Sequence, residues 1–585
     1  MKKHLEALVA EAMSRLQDEE LPPESLRFTP DVERTRDARH GDFATNAAMR
    51  LATLVGRQPR AIAARLAELM PASQLVARVD VAGPGFINFF LAPAALEAGV
   101  TDIIDAGKRF GESDAGAGRS ILVEYVSANP TGPLHVGHGR HAAYGASVAN
   151  LLRATGHRVE EEYYVNDAGR QMDILALSVW LRYLEGHGEQ VQFPDNGYRG
   201  AYVRQIAALV TDRHTDAFVV PAGSIIESLA PARRAEDQEA YVDALIGVAR
   251  DKLGADGFQR VLDTALESVL TDIRDDLDEF GVRPDQWYSE RSLEESGAID
   301  RALQLLREGG KLYEKGGAQW FRATEYGDVK DRVVVRENGK RTYFSSDIAY
   351  HLHKRERGHE LLLDILGADH HGYIARVRAG LEAMGEPGDL LEVRLVQFVT
   401  LFRGGEKLRM STRSGEFVTL RALRREVGND AARLFYVLRS NDQHLDFDLE
   451  LAKSRSTENP VYYIQYAHAR VCSVFRQLEE RGHKWDIDNA RAHLGELKEA
   501  RERSLMSTLG RYPEAVALAA ANRAPHNLVH YLRELANEFH SYYNAVPFII
   551  DAAGLRDARL MLIRATRQVI RNGLALLGVS APESM

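Results

Sequence analysis

Leu5, Leu8, Val9, Ala12 and Leu16 recur at steps of three and four, which predicts an amphipathic helix over residues 1 to about 20. Residues 43–54 and 61–70 carry the same period and predict two further helices. Residues 76–81 and 86–91 read as strands joined through Ala82-Gly83-Pro84-Gly85. Residues 1–112 are thus expected to form a small α+β unit, ending near a Gly-, Ser- and Asp-containing linker at 111–118. Over residues 113–455, apolar β-branched runs alternate with helical periods, as in a parallel α/β sheet. A helical, partly acidic stretch at about 185–300 interrupts that alternation. Beyond Asn459 strand signals vanish. Tyr462, Tyr466, Ala469, Val471 and Phe475 begin one helix, and Leu532, Leu535, Phe539, Tyr542 and Tyr543 form another, so residues 456–585 should be an all-helical bundle.

Composition narrows the class without naming a chemistry. A chain of 585 residues is too long for one core and agrees with three or four domains. Cys472 is the sole cysteine, which excludes intrachain disulfides and multi-cysteine zinc sites and fits a reducing cytoplasm. The start, Met1-Lys2-Lys3-His4, has the charge of a signal n-region, but Glu6 and Glu11 interrupt the apolar core such a segment needs. No apolar run is long enough to span a bilayer, so no membrane partner is expected. A net charge of −10 excludes a coat of basic residues yet leaves room for a local phosphate-binding patch.

Candidate chemistry gathers at strand ends. The run at 121–126 is apolar and β-branched, and Asn129-Pro130-Thr131-Gly132-Pro133 must break it, because two prolines cannot donate to a sheet ladder. Leu134-His135-Val136-Gly137-His138-Gly139 then opens a small-residue helix. Free backbone N–H groups and the positive helix end make such a junction a phosphate site, with imidazoles as hydrogen-bond donors. Taken alone, the tetrad at 135–138 equally suits two histidines that merely cap a helix. A second segment, 402–415, is glycine-flanked and carries Arg403, Lys407, Arg409 and Arg413, as a basic loop would. Asp369, in Gly367-Ala368-Asp369-His370-His371, follows an apolar strand; it could bind ribose hydroxyls or cap the next helix.

The words VEYVSANPTGPLHVGHGRHAAYG and EEYYVNDAGRQ resemble the HIGH region of class I aminoacyl-tRNA synthetases, and within that class the bacterial-type arginyl family. His40-Gly41-Asp42-Phe43-Ala44-Thr45-Asn46 and VAGPGFINFFL resemble that family's N-terminal domain, which implies contact with the tRNA elbow through residues such as Asn46. The implied fold is α/β: a Rossmann-type nucleotide-binding catalytic domain between an α+β N-terminal domain and an all-α anticodon-binding bundle. The resemblance places residues 129–139, Asp369 and His371 at ATP. The basic loop falls where the class carries its KMSKS motif; aligned on Met410-Ser411, the first lysine becomes Arg409 and the second Thr412. Lys407 and Arg413 are then the nearest substitutes, with Arg140 next, and the lysine that some arginyl enzymes place before HIGH is Gly132 here. Tyr343, Asp347 and Glu290 match a guanidinium pocket, and Glu124 and Asn129 match groups that hold the α-amino and carboxylate ends.

Residues 430–433, Asp-Ala-Ala-Arg, stand in for the DALR word. Tyr462, Gln465, Tyr466 and Arg470 on the following helix could stack on and hydrogen-bond to unpaired bases, although tyrosines at helical spacing also suit a core. Arg564, Arg567 and Arg571 present either a phosphate-binding face or a solvated one. The activity implied is arginine activation by ATP, with magnesium accompanying the nucleotide, then transfer to the 3′-terminal adenosine of tRNA(Arg). A cytoplasmic monomer with no tightly bound metal or organic cofactor is expected. The rivals are a glutamyl, glutaminyl or class I lysyl enzyme, an HxGH nucleotidyltransferase, and a tRNA-binding paralogue without catalysis.

Overall fold

Ile121, Leu122 and Val123 are all 1% exposed or less, so the strand that carries them needs neighbours on both edges and cover on both faces. A computed structural model, describing residues 1–20, 28–35, 37–229, 238–408 and 417–585, supplies them. Strands Ser120–Glu124 (β1), Arg158–Val165 (β2), Gln286–Ser289 (β3), Leu361–Gly367 (β4) and Leu391–Val396 (β5) form one parallel sheet in the order β5-β4-β1-β2-β3. The chain steps outward from β1 to β3, then returns to the far side of β1 with β4. That reversal opens a crevice beyond the carboxyl ends of β1 and β4, where α/β sheets bind ligands.

Helix Val136–Ala154 (α1) covers this crevice closely because its face is built from small residues. A Cβ on Gly145 would lie 2.3 Å from the Tyr125 ring, and one on Gly139 would lie 2.7 Å from the Tyr436 hydroxyl. The helical stretch expected at 185–300 holds helices Ala201–His214, Ala222–Ser228 and Gln238–Glu279. Its last part departs from the expectation, because Gln286–Ser289 is the edge strand β3. Trp287 there stacks on Tyr163 of β2 at 4.3 Å, burial that a surface helix would not provide.

The N-terminal unit has its own core around Leu5, Val9, Phe43, Leu51 and Phe89, beneath an antiparallel sheet ordered Val32–Arg34, Phe43–Thr45, Phe86–Leu91, Val76–Ala82. Residues 43–45 correct the helix expected there: Phe43 pairs with Phe89 across the sheet, and the helix begins only at Ala47. Strand pairing outweighs local helical period where a large aromatic gains a buried cross-strand partner. Arg34 reaches Glu514 at 3.0 Å, so this unit also touches the C-terminal bundle. Among the described residues no helix is long and apolar enough to cross a membrane.

Past strand Leu445–Asp448 the described chain is helical, led by Pro460–Glu480 (α2) and ending with Ala553–Leu576 (α3). Asp430 and Arg433 tie this bundle to the body. Asp430 accepts from Gln465 Nε2 at 2.8 Å and from the Ser580 backbone at 2.9 Å. Arg433, 2% exposed, donates to the carbonyls of Leu577 at 3.0 Å and Phe280 at 2.8 Å, joining the last helix to the end of the long insertion helix. Arg433→Ala would strand those carbonyls, so we expect a loss of about 3 kcal/mol. A lower urea midpoint at unchanged slope is the measurement that checks it.

Candidate active site

The crevice holds a cavity of about 530 Å³, and the residues singled out at distant points of the chain meet there. Glu124, Asn129, His135, Val136, Gly137, His138, Asp347 and Asp369 all line it. The two signature segments are joined by backbone: His135 bridges to Thr419, Val136 N–H donates to Val418 at 3.2 Å, and Leu420 N–H to Leu134 at 2.8 Å. The chain leaving the basic loop therefore runs directly onto the HVGH turn. Arg409, Met410, Ser411, Thr412 and Arg413 lie outside the described residues. Lys407 is exposed on a short hairpin strand before them.

The imidazoles are held in one tautomer by the helix start. Gly137 N–H donates to His135 Nδ1 at 3.0 Å, and His135 N–H donates to His138 Nδ1 at 3.3 Å. A backbone N–H can only donate, so both Nδ1 atoms accept and each proton sits on Nε2. The rings stack at 3.6 Å, and burial pulls both below the usual imidazole range, with His135 and His141 adding to the effect at His138. Both are neutral donors at pH 7. Gly137 is required by this pair, since a Cβ there would lie 2.9 Å from the His135 ring.

The cavity wall is acidic. Glu124, Asp347, Asp364 and Asp369 line it, and no lysine or arginine does among its described wall residues. Glu124 is fixed by Ser127 Oγ at 2.9 Å, Tyr350 Oη at 2.9 Å and the fully buried Lys354 at 2.5 Å. Burial pushes Asp347 up to about 6, with Glu124 adding repulsion. Burial, Asp167 and Asp347 push Glu290 up to about 7. Asp347 and Glu290 are the carboxyls that a bound cation would draw into the ionised form.

The structure places the other candidate residues at varying distances from this cavity. Arg140 is 0% exposed and spends its guanidinium on the carbonyls of Gln397, Gln443 and Ser440, each at 2.8 Å, so it is not a free cation for phosphate. Leu134 and Gly139 are packing positions, and Pro130, Thr131, Gly132 and Pro133 lead into the site without lining the cavity. His370 takes the wall position expected for His371. Tyr343 is 65% exposed with its hydroxyl beside Gly169, and Glu290 sits outside the lining set near Asp347. Asp369 caps no helix: Gly372 holds the N-cap position of the next one. His141, Tyr164, Asn166 and Asp364 were not foreseen. Asp364 had a signal, a lone carboxylate inside an apolar strand, and so did the stripe Asp347, His351, Lys354 at helical spacing.

Comparison with known proteins agrees with this geometry. The chain matches the models of the arginyl tRNA synthetase N-terminal domain over residues 3–91, the class I (R) tRNA synthetase catalytic domain over 99–446, and the DALR anticodon-binding domain over 464–585. It is 56% identical to an arginine–tRNA ligase of Thioalkalivibrio sulfidiphilus and 53% to one of Legionella pneumophila, with 100% of each chain covered. The chain belongs to the arginyl-tRNA synthetase family. A solved structure of a putative arginyl-tRNA synthetase from Campylobacter jejuni is 31% identical with a TM-score of 0.73, covering 85% of this chain and 100% of its own. The Thermus thermophilus arginyl-tRNA synthetase, 24% identical over 100% of both chains, shares the fold at a TM-score of 0.72.

Within this arginyl-tRNA synthetase fold, the expected tRNA contacts divide. Asn46 is exposed at a helix start where its side chain makes no capping bond. Tyr462 and Tyr466 stack at 5.5 Å, and the Arg470 guanidinium lies 4.4 Å from Tyr466 and 4.6 Å from Tyr543, a half-buried stacking platform. Gln465 faces the other way, 6% exposed, and its amide is committed to Asp430 and Ser580. Arg564 and Arg567 are half-buried on one face of α3. They lie over Trp485 at 4.6 Å and Phe475 at 5.9 Å, because α3 turns that face onto its neighbours, while Arg571 stays exposed.

A guanidinium favours ionised Asp347 and Glu290, whose raised values mean that protons occupy them as pH falls through 7 to 6. The arginine KM should then be flat above about pH 7.5 and rise by up to roughly tenfold per unit and per proton below it. Asp347→Asn should raise the arginine KM at neutral pH while leaving that for ATP near wild type; equal loss for both would make Asp347 structural. His138→Ala should slow adenylate formation by roughly a hundredfold or more with little change in ATP binding, measured by rapid quench.

Proposed function

We propose that this chain joins L-arginine to the 3′-terminal adenosine of tRNA(Arg) in two steps within the one cavity. The observation that carries the reading is the pairing of two neutral Nε2–H donors with a carboxyl-lined wall in which Lys354 answers Glu124 and Asp364 from behind, while no lysine or arginine of the described wall residues answers Asp347. Arginine brings the missing positive charge at both its guanidinium and its α-ammonium group. Glu124 would hold the ammonium, Asn129 the carboxylate, and Asp347 with Glu290 and Tyr343 the guanidinium, which is planar and suited to paired acceptors.

In the first step a carboxylate oxygen of arginine attacks the α-phosphorus of ATP, forming a P–O bond as the bond to pyrophosphate breaks. His135 and His138 donate to the phosphate oxygens as charge shifts onto them, and Asp369 accepts from the ribose hydroxyls. No protein nucleophile is needed, so catalysis rests on position and charge. An acidic cavity repels a triphosphate, so cations must arrive from outside it. Lys407, Arg409 and Arg413 would supply them, with magnesium carried in on ATP. In the second step a ribose hydroxyl of the terminal adenosine, the 2′-hydroxyl by class resemblance, attacks the carbonyl and AMP leaves. Asn46, the Tyr462–Tyr466–Arg470 platform and Arg571 would engage the tRNA. Monomeric state and cytoplasmic residence belong to the same reading, and sedimentation velocity tests the former.

Purified chain with tRNA(Arg), ATP and labelled arginine should give charged tRNA, and the family resemblance leads us to expect ATP–pyrophosphate exchange only when tRNA is present. Robust exchange without tRNA would contradict that dependence. Charging with glutamate, glutamine or lysine instead of arginine would overturn the substrate assignment.

A further inference from the structure

Several carbonyls of the segment between β1 and the HVGH turn are engaged. Tyr125 O accepts from Ser127 N–H at 3.0 Å, Ser127 O from Asn166 Nδ2 at 3.2 Å, Ala128 O from Tyr163 Oη at 2.9 Å, and Asn129 O from Thr131 N–H at 2.8 Å. Thr131 O accepts from Tyr202 Oη at 2.6 Å. Tyr202 belongs to helix Ala201–His214 of the insertion, the part of the chain without a role in the chemistry above. Its ring also closes on Gly132, where a Cβ would lie 2.9 Å from the ring carbon and the hydroxyl. Tyr198, just before that helix, hydrogen-bonds the Thr131 side chain. One phenol therefore holds the Thr131–Gly132 peptide both by its oxygen and by its Cα face. It also fills the space a side chain at position 132 would need, so a lysine there, as some arginyl enzymes carry, would have to displace the ring.

We propose that Tyr202 is a positioning residue through which the insertion sets the approach of residues 130–134 to His135, and thereby the placement of the two Nε2–H donors. The proposal rests on the reading of His135 and His138 as phosphate donors. A shift of about 1 Å at reacting groups can cost up to a hundredfold in rate, and one released carbonyl permits a shift of that kind. Glu124 and Asp347 are held by other elements, so recognition of the ammonium and guanidinium groups is insulated from this contact, whereas Asn129, whose carbonyl accepts from Thr131 N–H, would carry the reacting carboxylate along with it.

Tyr202→Phe keeps the ring and removes the hydrogen bond. Single-turnover adenylate formation with tRNA bound, normalised to titrated active sites, should fall roughly tenfold while the arginine KM stays within about twofold. Gly132→Ala presses on the same ring from the other side and should give the same split. Hydrogen exchange at the amides of Thr131, Gly132 and Leu134 should quicken in Tyr202→Phe, whereas a merely structural role would lower the active fraction without changing the rate per site. A per-site rate in Tyr202→Phe within twofold of an active wild type would overturn the role of Tyr202 alone. A wild-type chain that forms no adenylate with arginine would overturn the functional reading and this proposal together.

Discussion

Three carboxylates stand side by side across the middle of the sheet, and the site depends on how they are neutralised. Strand register sets Asp364 of β4 opposite Glu124 of β1, and Glu124 opposite Glu162 of β2. All three are at most 6% exposed, and like charges in directly opposed positions destabilise a sheet. Helix Tyr343–Glu356 and the residue after it answer them. Lys354 bonds Glu124 at 2.5 Å and Asp364 at 2.8 Å, Arg357 pairs with Glu162 at 2.6 Å, and Tyr350 Oη lies 2.6 Å from Glu162. Burial alone would strip the Lys354 proton, but Asp364, Glu124 and Glu162 outweigh it and hold the ammonium charged. Losing this one lysine would leave two buried carboxylates without a counter-charge, a change that typically costs about 3–5 kcal/mol.

The same helix carries Asp347 into the cavity one and two turns before His351 and Lys354. The group that would recognise the guanidinium and the groups that hold the carboxylate row are thus parts of one rigid element. Recognition and stability are coupled through it. His351 continues the link, with Nδ1 2.7 Å from the Asp347 carbonyl and Nε2 2.7 Å from Asp364.

Preorganisation is visible in the backbone as well. Val126 has φ of 69° and Ser127 of 38°, left-handed conformations that cost a β-branched residue and its neighbour about 1–3 kcal/mol each. Ser127 spends this conformation on two contacts, donating to Glu124 and accepting from the Tyr164 N–H at 3.0 Å. The turn thereby delivers β1 to HVGH with Glu124 already aimed.

Local pattern determined much of this protein by itself. The period of Leu5 to Leu16, the apolar run of β1, the prolines before HVGH and the loss of strand signals after Asn459 each reflect interactions between near neighbours, and each appears in the structure as read. The HVGH turn, Asp347 and Glu124 were legible as chemistry because they sit in recognisable words. Tertiary structure decided what those words do together. Strand order brought Asp364 beside Glu124 across 240 residues, and helix rotation turned Gln465 inward and laid Arg564 and Arg567 over Trp485 and Phe475 although their spacing suits an outward face. Arg140 was buried on three carbonyls, and Phe43 was drawn into a sheet against its helical period. In every such case the deciding partner lies far away in sequence, and periodicity records only that a residue faces something, not what it faces.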